Sequence, residues 1–143
     1  VDSGSPLRAL RIVGLSFIPV VGGAWIAVIA LNAGWDDPDT TLARGGAWLT
    51  AGLGLLGLIA AIRWRSRVTE QPVEPEGVLS PFFITLAFAE APLLVGFVFT
   101  ILGRDPLPFL AGTGFFTVSL ALLLTGLDQI ELTADGSTSG IVR

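Results

Sequence analysis

The chain has 143 residues, of which 52% are hydrophobic and only 14% charged, with a net charge of −4 and a mean hydropathy of +0.76. A soluble domain of this size carries about 25% charged residues, so the composition points to a membrane protein. Cys, His, Met, Tyr and Lys are all absent, which removes disulfides, the usual zinc, haem and copper ligands, the commonest general base and the best nucleophile. No metal or other cofactor is expected. No basic patch is interleaved with aromatics, so nucleic acid is not an expected partner.

Four apolar windows reach the ~20 residues that a hydrocarbon core requires. The first, Ile12–Leu31, follows Arg8 and Arg11 and contains Pro19, Gly22 and Gly23. A signal peptide shows the same basic flank but a shorter apolar region, so a retained helix is the expectation. An acidic loop with Asp36, Asp37, Pro38 and Asp39 comes next. Its acids could hold a hard cation, but the spacing matches no known loop, and a solvated turn is the plainer reading.

The second window, Gly45–Ile62, is rich in glycine (Gly45, Gly46, Gly52, Gly54, Gly57). Small residues allow close helix packing in lipid. The run Arg63-Trp64-Arg65-Ser66-Arg67 reads as a basic flank with an interfacial Trp. A lipid-phosphate site is the less favoured reading of these arginines. Three prolines between Pro72 and Pro81 are expected to keep the next segment non-helical.

The third window, Phe82–Leu102, carries Glu90 near its middle, the only charge in any of the four windows. An ionisable group at membrane depth is by default a functional candidate. Gly103-Arg104-Asp105-Pro106 makes a turn into the fourth window, Leu107–Leu127, whose hydroxyls (Thr113, Thr117, Ser119, Thr125) can bond their own helix carbonyls. The polar tail 128–143 is expected to be disordered or interfacial.

The expected fold is therefore an all-α membrane protein, a bundle of four transmembrane helices forming one integral membrane domain over residues 1–143. With the N-terminus inside, Arg8, Arg11, Arg63, Arg65, Arg67 and Arg143 collect on the cytoplasmic side, and Arg44 and Arg104 on the other. That bias puts both termini and the 63–77 loop in the cytoplasm and makes Arg63, Arg65 and Arg67 topology anchors. The expected setting is a prokaryotic cytoplasmic membrane.

The segment Glu70-Gln71-Pro72, then Ile84-Thr85-Leu86-Ala87-Phe88-Ala89-Glu90-Ala91, Gly96-Phe97-Val98 and Pro108-Phe109 resembles the second half of the c subunit of rotary ATP synthases. Gln71-Pro72 is followed by 17 residues before Glu90, as in that family. The resemblance covers about Gln71 to Phe109. It implies a polar loop at Gln71 and Pro72 and a proton-binding carboxyl at Glu90, with Gly96 in register; Pro92 is not the family's commonest arrangement, and Ala87, Pro92 and Gly96 are expected to support the helix geometry around the acid. Ala91 stands where family sodium sites tend to have Ser or Thr, which favours a proton. Pro92 leaves the Phe88 carbonyl without its helix partner, a possible acceptor for a protonated Glu90.

The chain also departs from the family. Glu70 occupies the usual Arg position, the second window offers Gly52-x-Gly54 and Gly57 without a full Gly-x-Gly-x-Gly ladder, and two further helices flank the hairpin. A conventional rotor subunit is not expected. The expected function is a small c-subunit-like membrane protein that reversibly binds a proton, as a homo-oligomer or within a larger membrane complex. The alternative is a structural or accessory subunit in which Glu90 hydrogen-bonds Thr113, Thr117 or exposed backbone and fixes packing. Catalysis has little support, because no second catalytic group accompanies the lone acid.

Overall fold

In the computed structural model, residues 5–34, 36–71 and 73–139 are described. They form four long helices: α1 (Ser5–Asn32), α2 (Thr40–Glu70), α3 (Leu79–Gly103) and α4 (Leu107–Ser139), with a 3₁₀ turn at Pro75–Val78 before α3. All four are long and apolar enough to cross a membrane. The apolar windows thus lie where they were expected, but the helices outrun them.

The extensions have local causes. Asp39 accepts hydrogen bonds from the Thr41 and Leu42 backbone N–H groups at 3.1 and 3.0 Å, so α2 starts five residues before the glycine-rich run. The Asp36–Asp39 cluster serves as a turn and a helix cap; among the described residues no group of acids is arranged to hold a metal. At its other end α2 continues through Arg63–Glu70, read above as flank and loop. Gly57, Ala61, Trp64 and Val68 are all buried, and their 3–4 spacing keeps one face packed while the arginines stay outside. Trp64 is buried, set edge-on against Phe82 with ring centroids 5.8 Å apart, and its ring covers Gly126 of α4.

Pro81 does not delay α3, because it is the third residue of the helix, where the backbone N–H has no intrahelical partner. Helix α4 runs on to Ser139, so the described part of the tail expected to be disordered or interfacial is helical; residues 140–143 lie outside the described residues. Leu120, Leu123, Leu127 and Ile130 form a buried stripe. Asp128 and Glu131, one turn apart, both bind Arg11 of α1, at 2.6 and 2.8 Å.

Helices α2, α3 and α4 pack closely on one another, while α1 lies against α4 and α3 and touches the rest far less. The α1 seam (Leu7, Leu10, Gly14, Phe17, Val21, Ala24, Val28) repeats at intervals of three and four, the spacing of a helix that meets its neighbours along a narrow line. The Arg11 ion pairs place the start of α1 and the far part of α4 at one end of the bundle. At the opposite end the two short connections are clasped: Asp39 N–H donates to Gly103 O at 3.0 Å, and Arg104 donates to Asp36 O at 3.1 Å. Arg104 itself takes the left-handed conformation (φ 53°) that ends α3.

Candidate functional site

Glu90 is the twelfth residue of α3, roughly 16 Å along a helix about 37 Å long. It is half-buried and lines a cleft of about 200 Å³ between α1 and α3. Phe17, Val20, Val21 and Ala24 of α1 form one wall; Leu93, Leu94 and Phe97 continue the α3 wall, and Phe109 of α4 closes the end. The carboxyl is the only polar side chain among the described lining residues.

Among the described residues Glu90 has no hydrogen-bond or ion-pair partner. Thr113, one of the partners expected under the packing alternative, is already committed. Its hydroxyl accepts from Trp25 Nε1 at 3.1 Å and donates to Phe109 O at 2.8 Å. Thr117 donates to Thr113 O. The structure therefore assigns Thr113 to α1–α4 packing, beside a Trp25–Phe109 ring contact at 4.9 Å.

Of the residues expected to support Glu90, none is gathered around its carboxyl. Ala87, one turn earlier, is exposed beside the cleft. Pro92 and Gly96 are buried on the opposite side of α3, about 200° and 240° around the helix from Glu90. The Phe88 carbonyl freed by Pro92 also points away from the acid: a methyl on Gly57 of α2 would lie 2.6 Å from it. That carbonyl meets Gly57 of α2 and not the Glu90 side chain. Gly96 is pressed against Pro108 and Phe109 of α4, and Gly112 of α4 against the Pro92 carbonyl. Pro92 and Gly96 thus set how closely α3 meets α4.

Gln71 caps α2, its backbone N–H bonding Arg67 O at 3.1 Å, and it lies at the end of the bundle, far from Glu90 along α3. Pro72 lies outside the described residues. Arg63, Arg65 and Arg67 are exposed on the last turns of α2.

Missing from the sequence reading are the α1 residues that cover the acid and the α1–α4 contacts that hold them there. The α1 seam spacing was the available signal. Two hydroxyls also behave unexpectedly. Ser119, expected to bond its own helix, is buried with its Oγ unpaired among the described residues, as is Thr50 Oγ1 of α2.

Fold and site together define a four-helix bundle of membrane-spanning length with a carboxyl in an apolar cleft that has no partner among the described residues. Comparison with protein-family models, curated proteins and solved structures gives no match.

Proposed function

We propose that this chain is an integral membrane protein in which Glu90 reversibly binds a proton. The observation that carries this reading is a mid-helix carboxyl facing an apolar cleft with no partner among the described residues. Among the described residues no positive charge lines the cleft, and an ionisable group at membrane depth is by default a functional candidate. Ionisation needs water or a cation, and the cleft is large enough for a few waters at about 30 Å³ each. Proton uptake and release then follow the wetting of the cleft.

The resemblance to the c subunit supports the carboxyl's chemistry more than any rotor role. Helix α4 packs across both α2 and α3, the pair that corresponds to the hairpin, and α1 lies over the acid. We place both termini and the connection between α2 and α3 on the cytoplasmic side of a prokaryotic membrane, on the arginine bias. The helix ends agree with that bias in keeping Arg11, Arg63, Arg65 and Arg67 together.

Dicyclohexylcarbodiimide tests the proposal, since it modifies protonated carboxyls in apolar sites. Glu90 is expected to label in detergent or liposomes, with labelling that falls as pH rises, and Glu90→Gln abolishes it. Labelling of Glu90 that is absent near neutral pH, or indifferent to pH, overturns the reading.

A further inference from the structure

A second cleft, of about 420 Å³, opens where α2 ends and α3 begins. Arg63, Arg67 and Gln71 line one side of it. They are spaced four residues apart, so they share one face of α2 and its cap. Ala60 of α2 and Pro81 and Ile84 of α3 line the apolar remainder. Among the described residues the lining holds two positive charges and no negative one.

Neither arginine is engaged elsewhere. Arg11 is satisfied by Asp128 and Glu131, whereas Arg63 and Arg67 have no ion pair or side-chain hydrogen bond among the described residues. Arg65, between them, does not line the cleft. Depth matters as much as charge. Helix α2 is about 46 Å long, against a hydrocarbon core of about 30 Å. The apolar run of α2 ends at Ile62, so a bilayer centred on that run leaves the arginine-bearing turns at headgroup level, with Ala60 and Ile84 on the hydrocarbon side.

We propose that this cleft binds the headgroup of an anionic phospholipid. The two guanidinium groups and the Gln71 amide supply donors for the phosphodiester, in the forked geometry that suits phosphate oxygens. The apolar wall takes the start of an acyl chain. Basic pockets at this depth between membrane helices are suited to such lipids. The site is independent of Glu90 and at the opposite end of α3's first half.

The test is native mass spectrometry of the full chain in neutral detergent, titrated with phosphatidylglycerol or with phosphatidylcholine. One phosphatidylglycerol per protomer is expected to be retained about tenfold or more tightly than phosphatidylcholine, from two charges acting near the surface. The double variant Arg63→Gln/Arg67→Gln loses that preference, and Arg65→Gln keeps it. Arg63→Lys/Arg67→Lys retains the preference for the anionic lipid, which separates loss of charge from loss of fold. Equal retention of the two lipids, or a loss in Arg65→Gln as large as in the double variant, overturns the proposal. So does displacement of the lipid by millimolar inorganic phosphate, which would mark a free-anion site.

Discussion

Glu90 is held by packing alone, and Thr100 by a specific bond, so the two residues should respond oppositely to substitution. The Glu90 carboxyl touches apolar neighbours and makes no hydrogen bond among the described residues. Glu90→Gln keeps its shape and removes only the capacity to ionise. It is expected to shift thermal stability in detergent by less than about 1 kcal/mol, the range of a substitution that breaks no buried network. A larger loss would favour the packing alternative. Thr100 is fully buried, and its Oγ1 accepts from the Phe109 backbone N–H at 2.9 Å. That bond joins the end of α3 to the first turn of α4. Thr100→Val leaves the N–H unpaired in an apolar setting and should cost about 1–2 kcal/mol, measured as a lowered Tm. Glu90 could be read from the sequence because one charge stands out in an apolar run. Thr100 could not, because its role depends on a neighbour nine residues away across a turn.

Between helices, the contacts that matter are backbone against backbone. Lipid tails are as apolar as leucine, so membrane helices associate through close fit more than through burial. Gly57 meets the Phe88 carbonyl and the Ala89 backbone of α3, while Gly52, on the same helix, faces open space. Gly57→Ala must push α2 from α3 and should destabilise by about 1–3 kcal/mol. Gly52→Ala is expected to be neutral or to stabilise by up to about 1 kcal/mol through helix propensity. Thermal unfolding of the two variants in the same detergent checks the pair, and equal effects would sink the close-approach account. The glycine-rich run marks α2 as a packing surface in the sequence alone. Which glycines pack was not legible, because Gly46, Gly54 and Gly57 face a Phe99 ring, a Phe115 ring and a backbone respectively. Helix ends were misread for a related reason. The polar stretches 63–70 and 128–139 were weighed by composition, whereas Trp64 and Val68, and Leu127 and Ile130, carry the helical spacing through them.

Across the whole molecule, α1 is the least anchored part and also the part that covers Glu90. Only 11% of its apolar window is buried, against 39% for α3 and for α4. Its fastenings are the half-exposed Arg11 pairs at one end, the Trp25–Thr113 bond and ring contacts such as Phe17–Phe116 at 5.6 Å. Exposed ion pairs are worth about 0.2–1 kcal/mol and weaken with salt, and a neutral hydrogen bond about 1 kcal/mol. Arg11→Gln combined with Trp25→Phe should therefore weaken the docking of α1 on α4 by about 1–2 kcal/mol, roughly a 5- to 30-fold rise in the fraction of chains whose α1 is undocked. Amides of α1 are then expected to exchange hydrogen faster than in the unsubstituted chain by a similar factor, and faster than those of α3. Raised salt alone should produce a smaller acceleration of the same sign in the unsubstituted chain. An exchange rate in α1 unchanged by both substitutions would mean that the Arg11 pairs and the Trp25–Thr113 bond do not hold α1 on α4, and that its apolar seam alone keeps it over Glu90.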